Sequence, residues 1–136
     1  MKRILFLMLL GAVLVFIYGY EDSGNSHYPH ALGAQEIQDI KDILKQFDSD
    51  DIAQGRLIYD KRCNACHGKG VSDEAHVGDS IYLERLAAKG MDALVSNAIH
   101  GFNAHPPKGL CMECTDYDIK VAILYMINES ILSLNQ

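Results

Sequence analysis

"RCNACHGKG", residues 62–70, decides how the rest of the chain is read. It sets Cys63 and Cys66 two residues apart and puts His67 directly behind them. Three soft ligands within five positions suit three chemistries: a covalent haem anchor, half of a zinc site, or a redox dithiol. Each makes a different demand on the surrounding sequence.

Zinc needs a second knuckle, and Cys111 and Cys114 offer one, but 44 residues (67–110) intervene. A compact ribbon expects roughly 15–20. Zinc knuckles also favour hairpins, whereas a helical pattern leads into Cys63 and another follows Cys114. A redox dithiol needs a low-pKa cysteine at a helix start behind a strand, and no strand pattern precedes Cys63. Covalent haem fits without strain. The two thiols, about one helical turn apart, add across the vinyl groups at one porphyrin edge, and the next residue, His67, falls beneath the metal.

Export agrees with that reading. Ile4–Tyr20, "ILFLMLLGAVLVFIYGY", is seventeen residues without a charge, preceded by Lys2 and Arg3 and followed by Glu21 and Asp22. A basic start, an apolar run and an acidic exit make a signal peptide or an N-terminal membrane anchor. The run lies at the lower edge of spanning length, roughly 17–25 residues. Tyr18-Gly19-Tyr20 is a poor cleavage site, which tilts the reading toward an anchor. Cleaved or not, the expected location is the periplasmic side of a bacterial inner membrane.

Without Lys2 and Arg3, the twelve basic residues fall to ten against eighteen acidic ones, a net charge of −8. Nucleic acid is excluded as a partner, because that affinity rests on Lys and Arg neutralising phosphates. Acidity either steers the domain toward a basic protein surface or keeps a small domain soluble.

The 136 residues fit one small domain with an appendage. Residues 1–20 form the signal or anchor, 21–49 a linker with a short amphipathic helix, and 50–136 the domain. Ile37, Ile40, Ile43, Leu44 and Phe47 predict that short helix over 34–47. Ser49 or Asp50 is expected to cap the next one, which carries Ile52, Leu57, Ile58 and Tyr59 toward Cys63. Helices are predicted over 79–89 and 92–100, stopped by Gly90 and Gly101. Residues 102–114 are irregular because of Pro106, Pro107 and Gly109. Thr115 with Asp118 imitates a capping box opening a core helix over 116–130. No strand alternation or internal repeat is found, so the fold class is all-α. About 100 residues in short helices bury little apolar area alone; a flat, covalently fixed cofactor would supply the missing core.

The motifs "GRLIYDKRCNACHGKGV", "VGDSIYLERLAAKGMDAL", "AIHGFNAHPPKG", "CMEC" and "DYDIKVAILYM" resemble, in order and spacing, a class I c-type cytochrome. More narrowly, they resemble the short bacterial cytochrome c-five subgroup. The resemblance implies four to five short helices around one covalent haem c, held through Cys63 and Cys66 with His67 as proximal ligand. It further implies that Gly55 lets the first domain helix cross the last closely at Tyr125. Arg85 would reach a haem propionate, and Cys111 and Cys114 would form a local disulfide.

One position departs from the family. Where the pattern reads M-P-P-K-G, with the methionine sulfur as sixth ligand, this chain has His105-Pro106-Pro107-Lys108-Gly109. Met91, Met112 and Met126 are alternative sulfurs, and His27, His30, His76 and His100 alternative imidazoles, but only His105 stands at the family's ligand position on a proline-stiffened loop. The expected site is bis-histidine, His67 and His105, which lowers the potential relative to methionine. The function that follows is single-electron transfer with redox partners such as a quinol-oxidising complex, a terminal oxidase, a reductase or a periplasmic dehydrogenase. The alternatives are a haem subunit fixed in a larger respiratory complex and a ligand-binding or peroxide-reactive haem protein with an open distal site.

Overall fold

The structure is a computed structural model and describes residues 32–68, 76–134 and 136. The expected signal or anchor, and most of the stretch leading from it, lie outside the described residues.

Helix α1, Ala34–Leu44, starts where the Gly33 N–H donates to Glu36 Oε2 at 2.7 Å. Its apolar residues recur at helical spacing, and they find a partner. Ile40 is buried in one cluster with Leu83, Leu86, Ile127 and Ile131, flanked by Ile37, Ile43 and Leu44. So α1 packs on the domain and does more than lead into it.

Helix α2, Ser49–Ile58, is capped by Asp48 rather than by Ser49 or Asp50. The Asp48 carboxylate accepts from the Asp50 and Asp51 N–H groups at 2.9 Å each, and Asp51 accepts back from the Asp48 N–H at 3.2 Å. A carboxylate one residue earlier satisfies two orphan donors and complements the positive helix end. Ser49 therefore begins the helix instead of capping it.

Beyond Ile58 the helical run continues as a π-turn, Tyr59–Cys63, and one α-turn, Asn64–His67. Helices α3, Ile81–Lys89, and α4, Met91–His100, follow, joined through Gly90. The last helix, α5, spans Asp116–Ser133, three residues past the expected end. Thr115 and Asp118 cap it reciprocally: Thr115 Oγ1 accepts from the Asp118 N–H at 3.1 Å, and Asp118 accepts from the Thr115 N–H at 2.8 Å. The Thr115 N–H and then the Thr115 hydroxyl, both donating to the Asp118 carboxylate, hold that carboxyl below its usual range.

Five α-helices of nine residues or more thus form the described part, and its β structure is limited to an isolated bridge. No described helix is long and apolar enough to cross a membrane. The packing axis is α5, whose Val121, Leu124 and Ile127 are fully buried. One side meets the cluster that includes Ile40. The other side, through Met126 and Tyr125, meets Tyr59 and Tyr82, with Cys63, Val77 and Ile81 packed around them. The second cluster carries the cysteine–histidine motif.

At the α2–α5 crossing, Gly55 is buried against Val121. A Cβ there would lie 2.0 Å from the Val121 carbonyl oxygen and 3.1 Å from Tyr125 Cβ. Only a glycine permits this approach, and it lets Tyr59 and Tyr125 pack with ring centres 5.2 Å apart.

Candidate haem site

The helical turn 64–67 is held from inside. Tyr59 reaches across it, its hydroxyl 3.2 Å from Asn64 Oδ1 and 3.3 Å from the His67 carbonyl oxygen. The Val77 N–H donates to that same carbonyl at 3.2 Å. Gly78 is then fastened to α5, its carbonyl accepting from Ser133 Oγ at 2.7 Å. The chain leaving and rejoining His67 is pinned at both ends.

Neither Cys63 nor Cys66 is in a disulfide; Cys63 is half-buried and Cys66 exposed. Burial pushes the Cys63 thiol up to about 11, with the Cys66 charge adding to the effect. A redox dithiol requires the opposite shift. Cys111 and Cys114 are bonded to one another, so they offer no thiolates to a zinc ion. Burial thus disfavours a redox thiolate at Cys63, and the disulfide withdraws the second cysteine pair from a zinc site.

His67 turns its Nδ1 to the Tyr82 hydroxyl at 2.5 Å. The His105 ring stands opposite, with ring centres 6.0 Å apart and planes tilted by 40°. Metal–imidazole bonds of roughly 2 Å, plus about 1 Å from each nitrogen to its ring centre, give a centre-to-centre distance of ~6 Å across a shared metal.

His105 owes its position to a tight hairpin. The Phe102 N–H donates to the His105 carbonyl at 3.1 Å, and the His105 N–H to the Phe102 carbonyl at 2.9 Å. Gly101 enters this turn at φ 84°, and a Cβ there would sit 2.9 Å from the His105 carbonyl oxygen. Pro106 is extended and Pro107 opens a short 3₁₀ turn to Leu110. Asn103, Lys108 and Leu110 all take positive φ. For non-glycine residues such conformations are strained, of order 1–3 kcal/mol each, so the loop needs external restraint. It has several. Lys108 Nζ bonds the Cys114 carbonyl and Asp116 Oδ1, each at 2.8 Å. Glu113 pairs with Arg62 of the cysteine motif, and Lys89 lies 5.3 Å from the Phe102 ring centre. The Cys111–Cys114 disulfide closes the base of the loop. Replacing both cysteines by serine removes a four-residue closure worth about 2 kcal/mol by chain entropy. A fall of roughly ten degrees in the thermal midpoint is the expected result, measured on the haem-loaded protein by visible absorption.

The residues present fit a haem. Two thiols stand on one helical turn, two imidazoles face each other at the right separation, and Tyr59, Tyr82, Met126 and Val77 supply an apolar flank. Of the other candidates, Met112 is 75% exposed on the disulfide turn, and Met91 packs against the Ile40 cluster. Met126 is buried among Tyr59 and Tyr82. His100 Nδ1 donates to the Ser96 carbonyl at 2.9 Å, and His76 Nδ1 lies 3.6 Å from Asp79. His27 and His30 lie outside the described residues. Arg85 is half-buried on α3, one turn beyond Tyr82.

The sequence reading overlooked four supports: Tyr82, the Tyr59 hydroxyl, Asn64 and the Lys89–Phe102 contact. Tyr59 carried a local signal, four residues before Cys63 on the inner face of its helix. The others depend on which elements meet in space.

A helical domain that sets C-x-x-C-H against a second, loop-borne ligand position is the layout of a small haem electron carrier. Comparison with known proteins agrees. Residues 50–126 match the family model described as "Cytochrome C oxidase, cbb3-type, subunit III". Cytochrome c5 of Azotobacter vinelandii is 48% identical over 71 residues, 51% of this chain and 86% of that protein. Cytochrome c5 of Ectopseudomonas mendocina is 42% identical over 71 residues, 51% of this chain and 82% of the relative. Cytochrome c-555 of Chlorobaculum thiosulfatiphilum is 34% identical over 84 residues, 59% and 98% respectively. The chain belongs to the class I monohaem c-type cytochromes. It carries one haem c bound covalently through cysteines, and it is an electron-transfer protein acting with redox partners rather than an enzyme.

Proposed function

We propose that this cytochrome is a low-potential, single-electron carrier on the periplasmic face of the inner membrane, with His67 and His105 as its two axial ligands. The observation carrying the reading is the 6.0 Å separation of the two imidazoles. Cys63 and Cys66 are the anchoring thiols, and Arg85 faces a propionate. The bound haem supplies the one-electron iron couple. His67 and His105 would both hold the iron, which would leave no place on it for substrate and would favour the ferric state more than a thioether does.

In this reading residues 1–20 direct export and tether or release the chain, 21–49 join that segment to the domain and pack on it through α1, and 50–136 hold the haem. The location rests on the charge and apolarity pattern of residues 2–22. Partners would be a quinol-oxidising complex and a terminal oxidase, reductase or periplasmic dehydrogenase, met through transient contacts. The family description, which names an oxidase subunit, favours a second reading: a haem subunit fixed in a respiratory complex.

The test is the visible and near-infrared spectrum of the purified protein in both redox states. Low-spin spectra without the sulfur-to-iron charge-transfer band are expected. A high-spin ferric spectrum, or rapid carbon monoxide binding by the reduced protein, would overturn the closed-site reading in favour of an open distal face. Purification in mild detergent separates carrier from subunit, since only the subunit co-migrates with a larger assembly.

A further inference from the structure

We infer that Tyr82 is a positioning residue for the proximal ligand, fixing the tautomer and the electron-donating strength of His67. The inference rests on His67 binding iron, not on the identity of the distal ligand. Tyr82 sits in the first turn of α3, 8% exposed, in the cluster formed by Tyr59, Met126, Cys63, Val77 and Ile81. Its ring centre lies 5.9 Å from that of His67, and its hydroxyl oxygen 2.5 Å from His67 Nδ1.

Packing leaves this contact little freedom. Ile81 and Val77 flank the tyrosine, and its neighbour Leu83 is fully buried in the Ile40 cluster, so α3 cannot rotate without exposing apolar surface. The same helix ends at Lys89, which covers the Phe102 ring of the His105 hairpin. Helix α3 therefore supports the imidazole on one side of the site and the hairpin on the other, seven residues or about 10 Å apart along its axis.

The chemistry follows from which nitrogen Tyr82 contacts. With Nε2 on the metal, Nδ1 carries the proton and donates it to the Tyr82 oxygen. A ligand imidazole whose other N–H is hydrogen-bonded is locked in tautomer and orientation, and is the more basic for it. A more basic His67 stabilises the ferric state. Removing the acceptor weakens the donor and shifts the couple toward the reduced form.

Tyr82→Phe keeps the ring and deletes only the oxygen. In the haem-loaded full chain, equilibrated with a redox mediator at fixed potential, its oxidised-to-reduced ratio is expected to fall three- to tenfold. Tenfold corresponds to about 59 mV for a one-electron couple. The His67 Nδ1 proton resonance of the diamagnetic reduced protein is expected to shift, with faster solvent exchange. Tyr82→Leu, which also removes ring packing, is expected to unfold more easily yet show the same redox shift. A Tyr82→Phe protein whose ratio and Nδ1 resonance match the wild type overturns the inference, as does a redox shift confined to Tyr82→Leu. Failure of the bis-histidine reading is separate, because it shows in the wild-type spectrum before any Tyr82 variant is made.

Discussion

Gly55→Ala is expected to lower the stability of the haem-loaded protein by roughly 3 kcal/mol or more, the upper end of overpacking costs. Helix propensity predicts the opposite sign, since alanine inside a helix is favoured over glycine by about 0.8–1 kcal/mol. Geometry decides between them. The new Cβ would fall 2.0 Å from the Val121 carbonyl oxygen and 2.7 Å from its carbon, both backbone atoms of α5. No side chain can swing aside, so the two helices must separate. Separation also opens the Tyr59–Tyr125 contact, and with it the hydroxyl that reaches the His67 carbonyl. Against a total stability of about 5–15 kcal/mol, this loss is large. Guanidinium unfolding followed by haem absorption should show a lower midpoint with an unchanged slope. A midpoint equal to or above the wild type would mean that the helices do not cross this closely in solution.

That crossing shows how far a sequence can be read without its neighbours. The helix starts are local events, and local chemistry announces them: Thr115 with Asp118 caps α5 as its spacing promises. The cap of α2 is Asp48 instead of the expected Ser49 or Asp50, because adjacent residues compete for one role and only Asp48 stands where its carboxylate meets the N–H groups of Asp50 and Asp51. Periodicity likewise marked the inner face of α1 but could not name what Ile40 would bury against.

The candidate site divides along the same line. Cys63, Cys66 and His67 stand together in sequence, so their chemistry is legible there. His105 became notable only because a family pattern expects methionine at its position. The contacts that hold these residues were not legible: Tyr82 to His67 joins residues fifteen apart, and Arg62 to Glu113 joins residues fifty-one apart. Nor does any propensity announce positive φ at Lys108 and Leu110, which are neither glycine nor asparagine. Those conformations follow from the fastenings of the loop at both ends.

The same loop sets the effect of the second substitution. On the bis-histidine reading, His105→Met is expected to raise the reduction potential by roughly 0.1–0.3 V, within the ~0.8 V range that axial ligands govern. The sulfur-to-iron charge-transfer band should appear in the oxidised protein with it. The loop can accept the change because its course depends on other groups. Gly101, the Phe102–His105 backbone bridge, the two prolines, Lys108 and the disulfide are all retained, and none involves the imidazole. Methionine is flexible and unbranched, so it can reach where the ring did. Its thioether gives less charge to ferric iron than imidazole does, which favours the reduced state. His105→Ala, which supplies no ligand, should instead yield a high-spin ferric spectrum and rapid carbon monoxide binding on reduction. The pair separates ligand identity from loop damage: a disordered loop would make both variants high-spin, whereas a preserved loop makes only the alanine variant so. If neither potential nor spectrum moves in either variant, His105 is not the ligand, and the 6.0 Å approach of the two rings reflects packing alone.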